Sequence, residues 1–209
     1  MKLILVGATG LVGRHVLQLA LADARISAIV APARRALPAH AKLQAPLVDF
    51  TRLPPDAGWW QADAVICTLG TTIKVAGSKA AFRAVDYDYP LAVARLARSH
   101  GAPAFVLTSA IGANPDSGIF YNRVKGELEQ QLQGLGFASL TCVRPGIIKG
   151  ERDVLRPGER MMLRVLEAMS PVLPGRWRPS LAPRIAQALL EAALASAPGV
   201  HVISSDRLN

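Results

Sequence analysis

The chain has 209 residues and a mass of 22.2 kDa, a size that favours one α/β domain spanning residues 1–209. Hydrophobic residue types make up 51% of the sequence and charged types 19%, a balance that supports a large core and excludes a disordered chain. The net charge of +9 leaves open a ligand or partner that carries phosphate groups.

Strands and helices are predicted to alternate along the chain. Nearly continuous apolar runs predict strands at residues 2–8, 26–31, 46–50, 64–69, 104–109, 139–143 and 199–204. Apolar residues at helical spacing predict helices at residues 11–22, 78–100, 120–135, 159–169 and 183–195, the second of them interrupted near Pro90.

This alternation predicts a doubly wound parallel sheet with helices on both faces, the α/β arrangement of dinucleotide-binding Rossmann folds. Residues 1–146 are expected to form a cofactor-binding core. Residues 147–198 are expected to form a small C-terminal lobe that contacts substrate, and residues 199–204 a closing strand.

A glycine-rich turn follows the first predicted strand, with Gly7, Gly10 and Gly13 in a G-x-x-G-x-x-G pattern. A diphosphate approaches the backbone closely where glycine has no Cβ, and the N-terminus of the next helix offers free N–H groups. Thr9 adds a hydroxyl donor, and the helix begins with Leu11-Val12. The same spacing also occurs in turns that only pack a helix against a strand, so the position after the first strand supports the cofactor interpretation.

The residues after the second predicted strand indicate which dinucleotide is bound. Sites that prefer NAD place Asp or Glu there to accept hydrogen bonds from the ribose 2′-OH. This sequence has Arg34 and Arg35 instead, and no carboxylate before Asp49. Guanidinium groups match the geometry of a 2′-phosphate, so the sequence predicts NADP(H) rather than NAD(H), with an exposed basic loop as the simpler alternative.

Tyr121 and Lys125 are spaced to lie one turn apart on the same face of a predicted helix. A free phenol has a pKa of about 10 and is a poor proton donor and acceptor at neutral pH unless a nearby cation favours its anion. Ser109 ends the preceding strand, where its hydroxyl is placed to orient a substrate carbonyl. The alternative is an ordinary amphipathic helix with an interfacial tyrosine.

Together these motifs resemble the short-chain dehydrogenase/reductase superfamily, specifically its atypical, epimerase-like branch and the Tat-interacting-protein-like oxidoreductases within it. The resemblance covers nearly the whole chain, and the motifs occur in the family's order. They are GATGLVG, CTLGTT, VDYDYPLAVARLA, LTSAIGA, YNRVKGELE and VRPGIIKGER.

The resemblance implies a role for further residues. The glycine turn would bind the cofactor diphosphate, Asp49 and Phe50 would flank the adenine, and Tyr121 and Lys125 would be the catalytic pair. Segments from Cys67 to Thr71 and from Pro145 to Ile147 would pass beside the cofactor and its nicotinamide. The implied contacts in these two segments are Thr68, Leu69, Gly70, Thr71, Pro145, Gly146 and Ile147.

Two departures from the superfamily pattern affect the expected chemistry. The usual Asn on the helix before the fifth strand is missing, since Asn occurs only at positions 114, 122 and 209, and Asp86 stands near its place. The chain is also short after the sixth strand, which favours a small substrate or none. The sequence therefore predicts an NADP(H)-dependent oxidoreductase of a small carbonyl or hydroxyl compound, with a redox-sensing scaffold of little turnover as the alternative.

The cysteines and histidines predict neither a metal site nor a disulfide, because Cys67 and Cys142 lie far apart in apolar strands and the four histidines are scattered. A thiol-based semialdehyde dehydrogenase would need an accessible, activated cysteine, which a position inside an apolar strand disfavours.

Arginines are frequent between residues 144 and 184, where either an anion-attracting lobe or a solvated basic face is consistent with the pattern. We expect no specific nucleic-acid binding, no membrane span, a cytoplasmic location, and a monomer or homodimer. The arginines in question are Arg144, Arg152, Arg156, Arg160, Arg164, Arg176, Arg178 and Arg184.

Overall fold

The computed structural model describes residues 1–149 and 180–208 of the chain. Its strands are β1 (Lys2–Val6), β2 (Ala28–Val30), β3 (Leu43–Gln44), β4 (Ala64–Cys67), β5 (Ala104–Thr108), β6 (Ser139–Arg144), β7 (Ile148–Lys149), β8 (Ser180–Leu181) and β9 (Gly199–Ser204). Seven of them pair in parallel in the order β3-β2-β1-β4-β5-β6-β9, and β7 pairs with β8 separately. The predicted doubly wound parallel sheet is confirmed.

The helices are α1 (Leu11–Ala22), α2 (Ile73–Ala76), α3 (Lys79–Arg83), α4 (Tyr89–Ser99), α5 (Phe120–Gln133) and α6 (Ala182–Ala195). A π-helical turn at Ala84–Asp88 joins α3 to α4, and short 3₁₀ turns lie at Gly58–Trp60 and Ser205–Leu208. The predicted helix at 159–169 and most of the predicted substrate lobe lie outside the described residues.

The sheet is covered on both faces, as the nearly continuous apolar strands predict. Alternate residues of a strand point to opposite faces, so in β1 Leu3 and Leu5 pack with α1 and α6, whereas Ile4 and Val6 pack with α4 and α5. The strand order reverses at β1, because β2 and β3 lie on one side of it and β4, β5 and β6 lie on the other. In open parallel sheets, ligands bind beyond the carboxyl ends of the strands at such a reversal.

Two predicted elements differ in detail from the structure. The third strand was predicted at 46–50, but β3 lies at Leu43–Gln44 and only one bridge, between Ala33 and Leu47, continues the pairing. Pro46 has no N–H to donate to a ladder, and the Asp49 carboxylate turns the chain by accepting the Thr51 N–H.

The long helix predicted at 78–100 consists of α3, the π turn and α4. The interruption predicted near Pro90 takes the form of the π turn at Ala84–Asp88, one residue before α4 begins. A proline ring and its missing N–H disrupt the regular ladder in the preceding turn, and a π turn changes the bonding pattern there without ending the helix.

Candidate functional site

The glycine turn between β1 and α1 brings the first helical turn against β4. Gly7 has a φ of +89°, and a Cβ added there would lie 2.6 Å from the Thr68 hydroxyl oxygen. A Cβ on Gly13 would lie 2.1 Å from the Gly7 carbonyl oxygen, so α1 packs backbone against backbone at this point. Gly7 and Gly13 therefore hold the turn in shape.

Gly10, at the N-cap position of α1, is exposed and leaves the helix N-terminus open. The N-cap position makes no side-chain hydrogen bond, and the first turn carries no carboxylate. Thr9 is also exposed beside it, and Leu11 and Val12 begin the helix. An uncapped helix N-terminus with exposed glycine backbone suits an anion, so this turn fits a dinucleotide diphosphate.

The two arginines after β2 occupy different surroundings, although both are exposed. Arg35 lines a groove of about 480 Å³ that lies between α1 and the loop after β2, whereas Arg34 does not line it. Thr9 of the glycine turn and Arg14 of α1 line the same groove. The structure thus brings Arg35 beside the turn predicted to bind the diphosphate.

The residues implied to flank the adenine are held by local contacts. The Asp49 carboxylate accepts the Thr51 N–H at 2.9 Å, and this bond lowers the pKa of Asp49 from its usual value. The Phe50 ring is buried and stacks on Tyr89, with ring centroids 5.9 Å apart.

The segment after β4 contains one residue with a clear structural role. The Thr68 hydroxyl donates to the Val6 carbonyl at 3.0 Å and lies against Gly7, so this side chain supports the glycine turn. Leu69 and Thr71 are half-buried, and Gly70 between them is exposed.

Lys125, the lysine of the predicted site, has an almost fully buried side chain. Its Nζ lies 2.8 Å from Asp86 Oδ1, and the lysine and aspartate side chains are only 3% and 1% exposed. Burial opposes the ammonium charge, but the Asp86 carboxylate and then the Tyr121 phenol outweigh this effect and raise the pKa of Lys125 above its usual value. The buried charge on Lys125 thus depends on a partner that the sequence motif did not identify.

Tyr121 lies in the first turn of α5 and is half-buried. Its ring contacts Phe82 of α3, with centroids 5.4 Å apart. Lys125 follows Tyr121 four residues later on the same helix, so the two residues share one face of α5.

Ser109, directly after β5, is 4% exposed, and its backbone N–H donates to the Val143 carbonyl at 2.7 Å. Its hydroxyl is buried without a hydrogen-bond partner among the described residues, as is that of Thr108. A buried hydroxyl without a partner is rare in native proteins, and a ligand oxygen is one group that satisfies it.

Hydrogen bonds hold the segment after β6, residues 145–147, to two other parts of the chain. The Pro145 carbonyl accepts the Ile111 N–H at 2.9 Å, and the Ile147 carbonyl accepts the Ser180 N–H at 2.9 Å. The Ser180 hydroxyl also accepts the Gly146 N–H at 3.4 Å, a contact that sequence reasoning missed because Ser180 lies far along the chain.

Arg144 does not contribute a free cation to an anion-attracting lobe. Its guanidinium binds the buried Glu129 carboxylate of α5 through two hydrogen bonds, the Nε one at 3.0 Å. This bond raises the pKa of Arg144, and the pair ties the end of β6 to α5. Arg152, Arg156, Arg160, Arg164, Arg176 and Arg178 lie outside the described residues.

Both cysteines are buried in strands of the sheet, Cys67 in β4 and Cys142 in β6. Cys67 is fully buried, and desolvation raises the pKa of its thiol to about 11. Burial also raises the pKa of Cys142. Within residues 1–149 and 180–208, no group of three His, Cys, Asp or Glu side chains is arranged to hold a metal ion. No helix in this part of the chain is long and apolar enough to cross a bilayer.

The parallel sheet and its glycine turn define a dinucleotide-binding α/β protein. A family model described as NAD(P)H-binding matches residues 7–154, and the chain belongs to this family. The chain is 34% identical over 165 residues to Protein fmp52, mitochondrial, of Emericella nidulans, covering 74% of this chain and 70% of that one. It is 36% identical over 160 residues to Protein HTATIP2 of Rattus norvegicus, covering 74% and 66%. These relatives confirm the resemblance predicted from the motifs.

Solved structures with the same fold include enzymes bound to dinucleotides. MoeE5 in complex with UDP-glucose and NAD matches with a TM-score of 0.73 at 17% identity, over 97% of this chain and 75% of that one. WbmH of Bordetella bronchiseptica in complex with NAD+ matches with a TM-score of 0.68 at 17% identity, over 98% and 75%. The chain therefore belongs to the NAD(P)H-binding family, and it shares the fold of these dinucleotide-bound structures.

Proposed function

We propose that the chain is an NADP(H)-dependent oxidoreductase that reduces or oxidises a small carbonyl or hydroxyl compound. The observation that supports this activity best is the buried Lys125 ammonium next to Tyr121, in a fold that binds dinucleotides.

The cofactor would lie across the carboxyl ends of β1 and β4. In the proposal its diphosphate meets the turn that contains Gly7, Gly10 and Gly13, and its 2′-phosphate meets Arg35, with Arg34 farther out. The remaining proposed contacts are Thr9, Leu11, Val12, Asp49, Phe50, Thr68, Leu69, Gly70, Thr71, Tyr121, Lys125, Pro145, Gly146 and Ile147. When bound, NADP(H) supplies or accepts the hydride.

Three side chains carry the proposed proton chemistry. Tyr121 donates a proton to the carbonyl oxygen during reduction and accepts it back during oxidation. Lys125 places a fixed positive charge beside the phenol, which favours its anion when the proton leaves. The Ser109 hydroxyl, which has no partner among the described residues, donates to the carbonyl oxygen and orients it.

The first experiment separates turnover from binding. Purified protein is screened for NADPH oxidation with aldehydes, ketones and quinones, and Tyr121→Phe is compared with wild type. Since general acid catalysis contributes roughly 10²–10⁴-fold, we expect the variant to lose about 100-fold or more in kcat while still binding NADPH. Tyr87→Phe is the control for the loss of a phenol hydroxyl, because the Tyr87 ring packs against Arg83 and is not among the proposed contacts, so this variant should retain activity.

A second outcome favours the redox-sensing scaffold. Tight NADPH binding without turnover on any carbonyl, together with a partner captured only when cofactor is present, contradicts the proposed enzymatic activity.

The cytoplasmic location stays a prediction. Relatives of the chain are named mitochondrial proteins, so fractionation of the native cells is its direct test. Sedimentation of the purified chain distinguishes the monomer from the homodimer.

A further inference from the structure

A single buried carboxylate connects two parts of the proposed site. Asp86 Oδ1 lies 2.8 Å from Lys125 Nζ on α5, and Asp86 Oδ2 accepts the Thr71 N–H of the loop after β4 at 2.8 Å. Asp86 itself is only 1% exposed. One side chain thus fixes both the lysine beside the phenol and the backbone of a loop proposed to contact cofactor.

The surrounding backbone is shaped to hold this carboxylate in place. Asp86 lies within the π turn at Ala84–Asp88, and single π turns inside helices occur frequently at functional sites. Gly70 lies directly above the ion pair, since a Cβ added there would be 3.3 Å from Asp86 Oδ1 and 3.7 Å from Lys125 Nζ. A Cβ at position 70 would crowd Asp86 Oδ1 and be in van der Waals contact with Lys125 Nζ.

The ion pair between Asp86 and Lys125 matters because the buried Lys125 ammonium has almost no contact with water. Burial alone lowers the pKa of a lysine and favours its neutral form. The groups that act against burial at Lys125 are Asp86 from the π turn, Tyr121 from α5 and Cys67 from β4, of which Asp86 is the strongest. Without Asp86 the balance at Lys125 shifts toward the neutral amine.

We propose that Asp86 is a positioning residue that keeps Lys125 charged and fixed beside Tyr121 and holds the Thr71 loop in register with it. This role rests on the proposed function, because it takes Lys125 to be the cation of a tyrosine-based site. Asp86 stands near the place of the Asn of the superfamily pattern, and its carboxylate contacts the lysine directly.

The first test observes Lys125 itself and needs no substrate. The chain has only six lysines, so the Cε resonances of lysine labelled with ¹³C at that carbon can be followed singly by NMR, with Lys125→Arg as the assignment variant. In wild type we expect the Lys125 signal to keep its ammonium position past pH of about 10.4, the ordinary lysine value. In Asp86→Asn we expect it to titrate below that value, because burial then dominates.

Asp86→Asn is chosen because the amide keeps the size of the side chain and an oxygen that accepts the Thr71 N–H. Glu129→Gln is the matched control, since it breaks another buried carboxylate pair on α5: Glu129 lies one turn beyond Lys125 and pairs with Arg144 rather than with the lysine. We expect both variants to lose thermal stability, but only Asp86→Asn to change the Lys125 titration. A wild-type Lys125 that titrates at or below the ordinary value overturns the proposal, whether or not the variants fold.

The second test measures turnover against pH. With a carbonyl substrate and saturating NADPH, we expect the alkaline limb of the kcat profile of Asp86→Asn to move down by about one pH unit or more, with little change in KM. Glu129→Gln should keep the wild-type profile. An unchanged profile in Asp86→Asn contradicts a positioning role and leaves only a structural one.

The two tests keep the two proposals apart. If wild type binds NADPH but turns over no carbonyl, the oxidoreductase proposal fails while the NMR titration still decides whether Asp86 keeps Lys125 charged. If wild type is active and Asp86→Asn matches it in both experiments, the Asp86 proposal fails and the oxidoreductase proposal stands.

Discussion

Arg34 and Arg35 are adjacent in the sequence, but only Arg35 lines the groove beside the glycine turn. We therefore predict that Arg35→Ala weakens NADPH binding tenfold or more, about 1.4 kcal/mol, and leaves NADH binding nearly unchanged. Arg34→Ala should have a smaller effect. The measurement is a calorimetric titration of both nucleotides with each variant.

The control for this prediction removes the same charge elsewhere. Arg95 is an exposed arginine on α4, so Arg95→Ala tests whether a lower net charge alone weakens the binding of a nucleotide. Equal affinity of wild type for NADPH and NADH, or equal losses in Arg35→Ala and Arg95→Ala, contradicts the role of Arg35.

At the scale of residues, the sequence predicted local pairs and missed distant ones. The two glycines Gly7 and Gly13 are six residues apart, and Tyr121 and Lys125 are four residues apart. Their spacing in the sequence is therefore enough to relate them. The contacts of Lys125 with Asp86 and of Glu129 with Arg144 join residues 39 and 15 positions apart, on different elements. They depend on how the sheet arranges those elements, which no local pattern specifies.

At the scale of elements, α5 is positioned by a glycine that sequence reasoning did not single out. A Cβ on Gly126 would lie 2.2 Å from the Asn114 carbonyl carbon and 2.3 Å from the Pro115 nitrogen. The helix that carries Tyr121 and Lys125 therefore packs directly on the backbone of the loop that follows Ser109. That contact sets the distance between the loop and the helix that carries Tyr121 and Lys125.

Gly126→Ala is predicted to force this loop away from α5. Because overpacking a close contact typically costs about 1–3 kcal/mol, we expect a loss of that size in the free energy of unfolding by urea. We also expect reduced turnover, since the loop carries Ser109 at its start. Gly134→Ala is the matched control, because Gly134 ends the same helix in a right-handed helical conformation and its Cβ would meet only Gln131 O at 3.4 Å.

Gly134→Ala should be neutral or stabilising by a few tenths of a kcal/mol, since alanine restricts the unfolded chain. A Gly126→Ala variant as stable as Gly134→Ala would show that the loop moves without cost, and would remove the argument that α5 positions it.

The strands show how far periodicity carries a prediction. β4, β5 and β6 were located correctly because each is an apolar run buried on both faces. β3 was placed three residues too late, because Leu47-Val48 is the more apolar segment but Pro46 interrupts its ladder. Hydrophobicity identified the segment, and hydrogen bonding decided where the strand lies.

At the scale of the whole molecule, the positive charge is interspersed with carboxylates and partly neutralised by them. Residues 144–184 hold eight arginines, one lysine and four carboxylates, so the arginine-rich section contributes +5 of the net charge of +9. In the described part of the chain, Arg25, Arg83 and Arg144 are each paired with a carboxylate. Such a distribution favours a soluble surface and weak attraction to polyanions over a specific nucleic-acid interface.

We therefore predict only non-specific binding of DNA or RNA, with a Kd weaker than about 1 μM at physiological salt. The measurement is fluorescence anisotropy with two unrelated duplexes and a single strand over a range of salt concentrations. All three should bind alike, and log K should fall linearly with log salt, because released counterions supply the binding free energy. NADPH should compete only weakly, since Arg34 and Arg35 are the only arginines proposed to contact the nucleotide. Nanomolar binding to one sequence at physiological salt, or displacement by NADPH, would show that the basic charge forms a specific interface.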